Sequence, residues 1–464
     1  MEIRLNDLTM IMKFFSTQEE KMIKKFITFK DDKSAFFGGK FHPERVKDVC
    51  MGKDIKGYFV CFAGLCKEIM VFCKQNNINI SSFEDKRTHF DFQKKEWAHD
   101  ELRKYFNPNF KYVEHQIRAL QAMINTNTGI IKAATSAGKS HIMLAFMKLT
   151  KLPTLILTDR ATLGAQLAED FNKNGIDCGF CSGKGVKDGY CMVSTIQSVK
   201  KIPNLEKFKC ILSDEVHKDS SKTFQDFLAQ FGCPLKFGFT ASPYNGNYLD
   251  YAKIRQFFGS VIIEIKADEL IKNEVMSKPH IYLVESHFKN EDDCFDYNSA
   301  YEEGIVNNES RNKSIIKIAS KYKKGVAILV SRLEHGKLLE EKIEGSVFIS
   351  GSMPVEQRLD ILKKFNDGEI RCVIGSNVLN EGISITNMFC LIQAAGMKAM
   401  TQTVQRIGRC LRSSATKKDA DFFDFIDYNK FLAKHSKQRI RLYKQECLTE
   451  DVKLLDENLE EIKK

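Results

Sequence analysis

The chain has 464 residues, 43% of them hydrophobic and 28% charged, with a net charge of +11. This is the composition of a soluble globular protein with room for two or three domains, and the basic balance favours either a polyanionic partner or simply a soluble basic surface. No apolar run reaches membrane-spanning length, since the longest candidate, 58–73, is broken by Lys67 and Glu68.

The 14 cysteines follow no framework, and the apolar stretch at 8–15 is broken by Lys13 and lacks a cleavage site. Free thiols in a reducing, cytoplasmic compartment are expected, the host-cell cytoplasm if the protein is viral. Cys178 and Cys181 form a lone CxxC without a second pair, and Cys50, Cys61, Cys66 and Cys73 are expected to pack as small apolar residues.

Residues 1–105 are rich in Phe and Lys and lack strand–helix alternation, so they are expected to form a small α+β accessory domain. Its Lys24, Lys25 and Lys40 are candidate nucleic-acid contacts, and its phenylalanines are expected to build a small core. From about Ile130, short apolar runs alternate with helical periods. Strands are predicted at 154–158, 190–194, 209–213 and 235–240. After a polar, acidic stretch at 290–309 the alternation restarts, with strands at 326–330, 346–350, 371–375 and 388–393. Two such series predict two parallel-sheet α/β domains, at 106–284 and 285–430. The tail, 431–464, reads as a helix. It is basic at Lys434, His435, Lys437, Arg439, Arg441 and Lys444, then acidic over 450–460. Its basic half is either a phosphate-contacting face or a solvated one.

The most specific segment is Ala133-Ala-Thr135-Ser136-Ala137-Gly138-Lys139-Ser140, between an apolar pair, Ile130-Ile131, and an apolar helical run. A small-residue loop at a helix N-terminus lets backbone N–H groups converge on a phosphate. The lysine reaches the outer phosphates, and the serine hydroxyl can hold Mg²⁺. Ala133 stands where the pattern wants its first glycine. Downstream, Asp214-Glu215-Val216-His217 follows a predicted strand. An acid there can hold Mg²⁺ through water, and a second can activate the attacking water.

This ordered set resembles the superfamily 2 helicases from about residue 110 to 430, with an Asp-Glu-x-His box. The resemblance implies ATP and Mg²⁺ as cofactors and two tandem RecA-like parallel-sheet domains. It implies catalysis by Lys139, Asp214, Glu215, Gln405, Arg409 and Arg412. It implies nucleotide contacts from Gln116, Thr135, Ser136, Ala137, Gly138, Lys139, Ser140 and Gly382, with Tyr112 a candidate to stack on the base. Ser140 and Asp214 are the implied metal ligands. Thr158-Asp-Arg160-Ala-Thr-Leu-Gly-Ala-Gln166 and Ser194-Thr195-Ile-Gln197 resemble nucleic-acid motifs, which points to Arg160, Gln166 and Thr195. Thr240-Ala-Ser242-Pro243 resembles the motif coupling the two domains. In the second domain, Ser350-Gly351 with Arg358, the run 376–384 and Gln405-Arg406-Ile-Gly-Arg409-Cys-Leu-Arg412 resemble further motifs, the last an arginine finger.

Within that superfamily the chain is similar to the phage UvsW-type helicases, in its Thr135–Ser140 loop and its Gly382-Ile-Ser384 run. That likeness implies remodelling of branched DNA, at forks and Holliday junctions, in phage replication, recombination or repair, by a monomer. Two readings stay open beside it. One is an RNA helicase of the same superfamily. The other is a non-hydrolysing nucleic-acid-binding protein, motivated by Ala133 and by Ser384 where many relatives carry Asp. A restriction-type translocase subunit is also conceivable, but 1–105 and 431–464 show no nuclease motif.

Overall fold

The computed structural model describes residues 1–37, 40–109, 113–218, 220–244, 247–289, 294–375, 387–396, 419–446 and 452–462. The chain divides into two compact units. One comprises 1–133 and 138–265; the other comprises 266–464, with 134–137 grouped alongside.

The first unit opens with five strands, β1 (Glu2–Leu5), β2 (Thr9–Lys13), β3 (Gly52–Ile55), β4 (Tyr58–Phe62) and β5 (Ser82–Asp85), ordered β3-β4-β2-β1-β5. Pairing is antiparallel except for β1 with β5. Ile3, Leu5, Met10, Met12, Phe59 and Cys61 alternate onto one buried face, as a half-covered sheet requires. The strands and helices of this region have the expected α+β character, within a unit that continues to residue 265. Cys61 and Cys73 are buried in it, but Cys50 is exposed, at the end of a short edge strand where no core covers it.

An eight-stranded sheet follows: β6 (Thr128–Ala133), β7 (Thr154–Thr158), β8 (Cys178–Ser182), β9 (Gly185–Lys187), β10 (Cys191–Thr195), β11 (Cys210–Asp214), β12 (Leu235–Thr240) and β13 (Val261–Ile265). Their order is β9-β8-β10-β7-β11-β12-β6-β13, and only β9 runs antiparallel. Every residue of β7, β10 and β12 is buried, which explains their continuous apolar runs: helices cover both faces. Registers Thr158↔Thr195, Asp214↔Phe239 and Lys132↔Thr240 bring the carboxyl ends of five strands to one edge. Open parallel sheets take ligands at that edge.

The α+β sheet and this sheet share a core through helix α4. The helices that bear on the site are, in chain order, α1 (Glu114–Ile124), α2 (Lys139–Thr150), α3 (Ala161–Lys173) and α4 (Tyr248–Phe258). Leu249 and Ala252 of α4 join the N-terminal cluster. Phe257 meets Phe62 with ring centroids 4.3 Å apart, and Arg255 pairs with Glu68 at 2.7 Å. A Cβ on Gly64 would lie 2.4 Å from the Arg255 carbonyl oxygen, so only glycine lets the chains approach this closely. Lys236, at the start of β12, is buried and donates to the Asp7 carbonyl at 2.7 Å.

The second unit is a seven-stranded, wholly parallel sheet: β14 (Lys278–Ser286), β15 (Val326–Leu329), β16 (Ser346–Ile349), β17 (Cys372–Gly375), β18 (Cys390–Gln393), β19 (Asp419–Asp427) and β20 (Val452–Leu455). The order is β16-β17-β15-β18-β19-β14-β20. Strand β14 begins upstream of the boundary expected at 285 and runs across it. The tail is not wholly helical. Helix α6 (Ala433–Glu446) gives way to β20, which pairs with β14 through Ile281↔Val452 and Leu283↔Leu454. Two acidic residues of this stretch are engaged in hydrogen bonds. Glu457 accepts from the His287 N–H and the Ser310 hydroxyl, and Asp456 from two backbone N–H groups of its own turn.

Between β19 and α6 lies a buried ion-pair network. Arg439 forks onto Asp424 at 2.7 and 3.1 Å, and the Tyr443 hydroxyl donates to Asp424 at 2.6 Å. Arg311, on helix α5 (Glu309–Ser320), donates to Asp427 at 2.7 Å and to the Ala394 carbonyl at 3.1 Å. Arg439, one of the cations expected to reach phosphate or solvent, is 0% exposed and does neither.

Candidate functional site

Strand β6 ends at Ala133, and α2 begins at Lys139. Thr135, Ser136, Ala137 and Gly138 lie between them, with Ser140 in the first helical turn. The loop closes through Ala137 N–H to the Ala134 carbonyl at 3.1 Å, with Ser136 at φ 72° and Gly138 at φ 79°. Left-handed backbone at a helix start turns N–H groups towards a common point, the arrangement that holds anions. A Cβ at Gly138 would fall 2.3 Å from Gln116 Nε2. The buried Gln116, on α1, therefore lies directly against this loop.

Two strands away, β11 delivers Asp214 to the same edge, and Glu215 follows at φ 52°. A non-glycine residue held there costs about 1–3 kcal/mol, strain of the kind that collects at functional sites. Lys139 Nζ donates to Glu215 Oε1 at 2.5 Å and lies 3.6 Å from Asp214 Oδ1. Burial works against the lysine's charge, but the Glu215 and Asp214 carboxylates outweigh it and hold its pKa above the ordinary value. Asp214 goes the other way: burial raises its pKa, and the shared lysine offsets that only in part. Glu215 is also disfavoured by burial, yet its direct contact with Lys139 leaves its pKa lowered. One ammonium thus serves two carboxylates unequally. Asp214 Oδ1 and Glu215 Oε2 are buried without a hydrogen-bond partner among the described residues. Orphaned carboxylate oxygens beside a serine-bearing helix start are the donor set a hard divalent cation prefers, so Mg²⁺ fits Ser140 and Asp214.

His217 Nδ1 is 2.9 Å from Thr240 Oγ1 and 3.4 Å from Glu215 Oε2. Thr240 Oγ1 also accepts the Ser242 N–H at 3.1 Å. The acids, the histidine and the Thr240–Ser242 segment thus form one contact chain leading towards α4. Burial lowers the His217 pKa, which favours the neutral ring.

The nucleic-acid candidates are less unified. Arg160 is half-buried at the start of α3, its Nε 3.6 Å from Asp159; Gln166 is exposed on the same helix. Thr195 is only 7% exposed, and its hydroxyl donates to Ser198 at 3.1 Å. Lys218, which sequence reasoning passed over, pairs with Asp159 at 2.6 Å and links the acidic box to the Asp159-Arg160 segment. Its signal was its place directly after His217. Tyr112, Gly382, Ser384, Gln405, Arg409 and Arg412 lie outside the described residues. Cys178 and Cys181 are buried within β8, and no group of three metal-ligating side chains occurs among the described residues.

A parallel sheet carrying a phosphate loop after one strand and an acidic pair after another, followed by a second parallel sheet, defines a nucleoside triphosphatase with two RecA-like domains. The family described as "Type III restriction enzyme, res subunit" matches residues 109–245, and "Helicase conserved C-terminal domain" matches 298–414, together more than half of the chain. The DNA 3'-5' translocase XPB2 of Sulfurisphaera tokodaii is 24% identical over 64% of this chain and 78% of its own length. The ATP-dependent DNA helicase uvsW of Enterobacteria phage T4 is 26% identical over 68% and 72%. Among solved structures, the fold is shared with the Type ISP restriction-modification enzyme LlaBIII bound to DNA (TM-score 0.56, 14% identity, 83% of this chain and 34% of that one). It is also shared with S. cerevisiae Dbp5 bound to RNA and ADP BeF3 (TM-score 0.52, 15% identity, 78% and 96%). The chain belongs to the superfamily 2 helicases and is an ATP-hydrolysing helicase. Among the described residues no helix is long and apolar enough to cross a membrane.

Proposed function

We propose that this helicase acts on DNA, as a translocase that unwinds or branch-migrates forks and Holliday junctions in phage-type replication, recombination or repair. The observation that carries the motor reading is the Lys139–Glu215–Asp214 cluster at the carboxyl edge of the first parallel sheet. Support for DNA comes from relatives named as a DNA translocase and a DNA helicase. Support for branched substrates is the likeness of the Thr135–Ser140 loop and the Gly382-Ile-Ser384 run to phage UvsW-type helicases. The protein works as a monomer in the cytoplasm, with 1–105 as an accessory DNA-binding domain.

In this mechanism the loop N–H groups and Lys139 hold the outer phosphates of ATP. To do so Lys139 leaves Glu215; without that contact burial acts to raise the pKa of the freed carboxylate, which suits it to accept the proton of the attacking water. Ser140 and Asp214 would hold Mg²⁺, which would supply charge neutralisation on those phosphates when bound. Gln116 is assigned to the adenine edge. Gln405, Arg409 and Arg412 are assigned by sequence to the charge that develops on the transferred phosphoryl group. Movement at Glu215 passes through His217 to Thr240 and Ser242, and Arg160, Gln166 and Thr195 are the assigned strand contacts.

The test is ATP turnover and strand separation on four-way junctions, forks, linear duplex and RNA. Strongest stimulation by junctions and forks is expected. Stimulation by RNA alone would replace DNA as the substrate, and absence of any turnover would favour the non-hydrolysing reading.

A further inference from the structure

Helix α6 is locked in one rotational setting. Arg439 forks onto Asp424, and Ser436 donates to Asp427 at 2.8 Å, so the 436–439–443 face is buried against β19. The opposite face is thereby fixed outward. It carries Lys434, Lys437 and Arg441, all exposed, at spacings of three and four residues that align them in one stripe. The stripe spans about 10 Å of helix axis. None of the three makes an ion pair or hydrogen bond among the described residues, although lysines elsewhere on the surface, such as Lys24, Lys173 and Lys364, are paired. A solvated helix face commonly carries compensating acids, and over 433–441 this one has none.

The stripe begins at the ligand-taking edge of the second sheet. Strand β19 ends at Asp427, and Tyr428 follows, 46% exposed. Its ring stacks on His287 at 4.5 Å and 7°, and its hydroxyl donates to Glu285 at 2.7 Å, which together hold it still. Helix α6, with the three unpaired cations, begins five residues on. A fixed aromatic ring followed by a row of unpaired cations is the chemistry of single-strand binding: bases stack, and phosphates meet charge without sequence preference. Duplex would use the cations but leave the ring idle.

We infer that Tyr428, Lys434, Lys437 and Arg441 form a single-stranded nucleic-acid contact on the outer face of the second unit, additional to the sequence-motif contacts. The inference rests on the nucleic-acid reading above, and its test is separable from it. Full-length protein is titrated with labelled single-stranded oligodeoxythymidylate, and with a blunt duplex, across a range of salt. The triple variant Lys434→Ala/Lys437→Ala/Arg441→Ala should bind the single strand about tenfold more weakly, with the slope of log K on log salt reduced by about 2, at roughly 0.7 per lost phosphate contact. Tyr428→Ala should weaken binding with the slope unchanged, because stacking releases no counterion. Thermal melts check that each variant is folded, and Lys434→Arg/Lys437→Arg/Arg441→Lys should restore the slope. Wild-type affinity and slope in the folded triple variant would overturn the inference. A loss confined to duplex would overturn it in favour of a duplex site. Either result leaves ATP turnover on junctions, the test of the motor reading, untouched.

Discussion

Both units bury charge, and they do so in opposite ways. In the second unit Asp424 receives two guanidinium N–H groups and a phenol, and Asp427 receives Arg311 and Ser436, so the acids are fully engaged. In the first unit one ammonium is divided between two carboxylates. It leaves buried oxygens unbonded and Glu215 in left-handed backbone. Acids with every oxygen engaged hold their geometry; acids left with unbonded buried oxygens are poised to change partners. The difference separates a charge cluster that fixes a helix from one that awaits a ligand.

Exchange of the two phenotypes would break that contrast. Lys139→Ala should lower ATP turnover on the order of a thousand-fold or more, with a smaller loss of thermal stability than breaking the second unit's pair, because the Asp214 and Glu215 side chains stay 14% and 17% exposed where Asp424 is 1% exposed. Turnover assays beside melting curves check both halves. Arg439→Ala should do the reverse and destabilise the protein by about 3–5 kcal/mol in denaturant unfolding, since it strands a buried Asp424 carboxylate. Glu215→Gln should slow hydrolysis on the order of a hundredfold while nucleotide binding, measured by fluorescence, persists. An effect felt only in acid comes from His335, buried beside Arg311 and held by Asn312 at 2.9 Å. Burial, helped by Arg311, pushes its pKa down to about 3 from 6.5. The folded state thus favours the neutral ring. Its stabilising contribution is intact above pH 6.5 and is lost as pH falls towards 3, at about 1.4 kcal/mol per pH unit. His335→Gln should flatten the melting temperature over that window. The mildest change is Thr240→Val, which removes the oxygen shared by His217 and Ser242. It should cost about 1 kcal/mol of stability and weaken nucleic-acid stimulation more than unstimulated turnover.

The first unit's site was legible because its parts are local. An apolar run, a small-residue loop and Gly-Lys-Ser are contiguous, and Asp214-Glu215 sits at the end of a strand whose burial makes its first half an apolar run, Cys210-Ile211-Leu212. The second unit's network was hidden because its partners are distant in sequence. Arg311 meets Asp427 across 116 residues. Helical periodicity identified α6, but periodicity alone does not say which of its cations turns inward; Arg439 does, because Asp424 lies on the facing strand. Strand β20 was missed because four residues, Val452-Lys-Leu-Leu455, are too few to display a period inside an acidic stretch. Lys218 was missed because a surface lysine after a motif looks like any other.

Helix α4 sets a limit on modularity. It begins a few residues after Ser242 and also supplies Leu249 and Ala252 to the N-terminal core, with Gly64 pressed on its last turns. The accessory sheet is therefore not an interchangeable attachment. Severed near residue 105 it would lose part of its own interior, and grafted onto another motor it would need this helix grafted with it. Divergence on one side of α4 is constrained by the other, so the N-terminal sheet and the segment behind Thr240 are expected to change together across relatives.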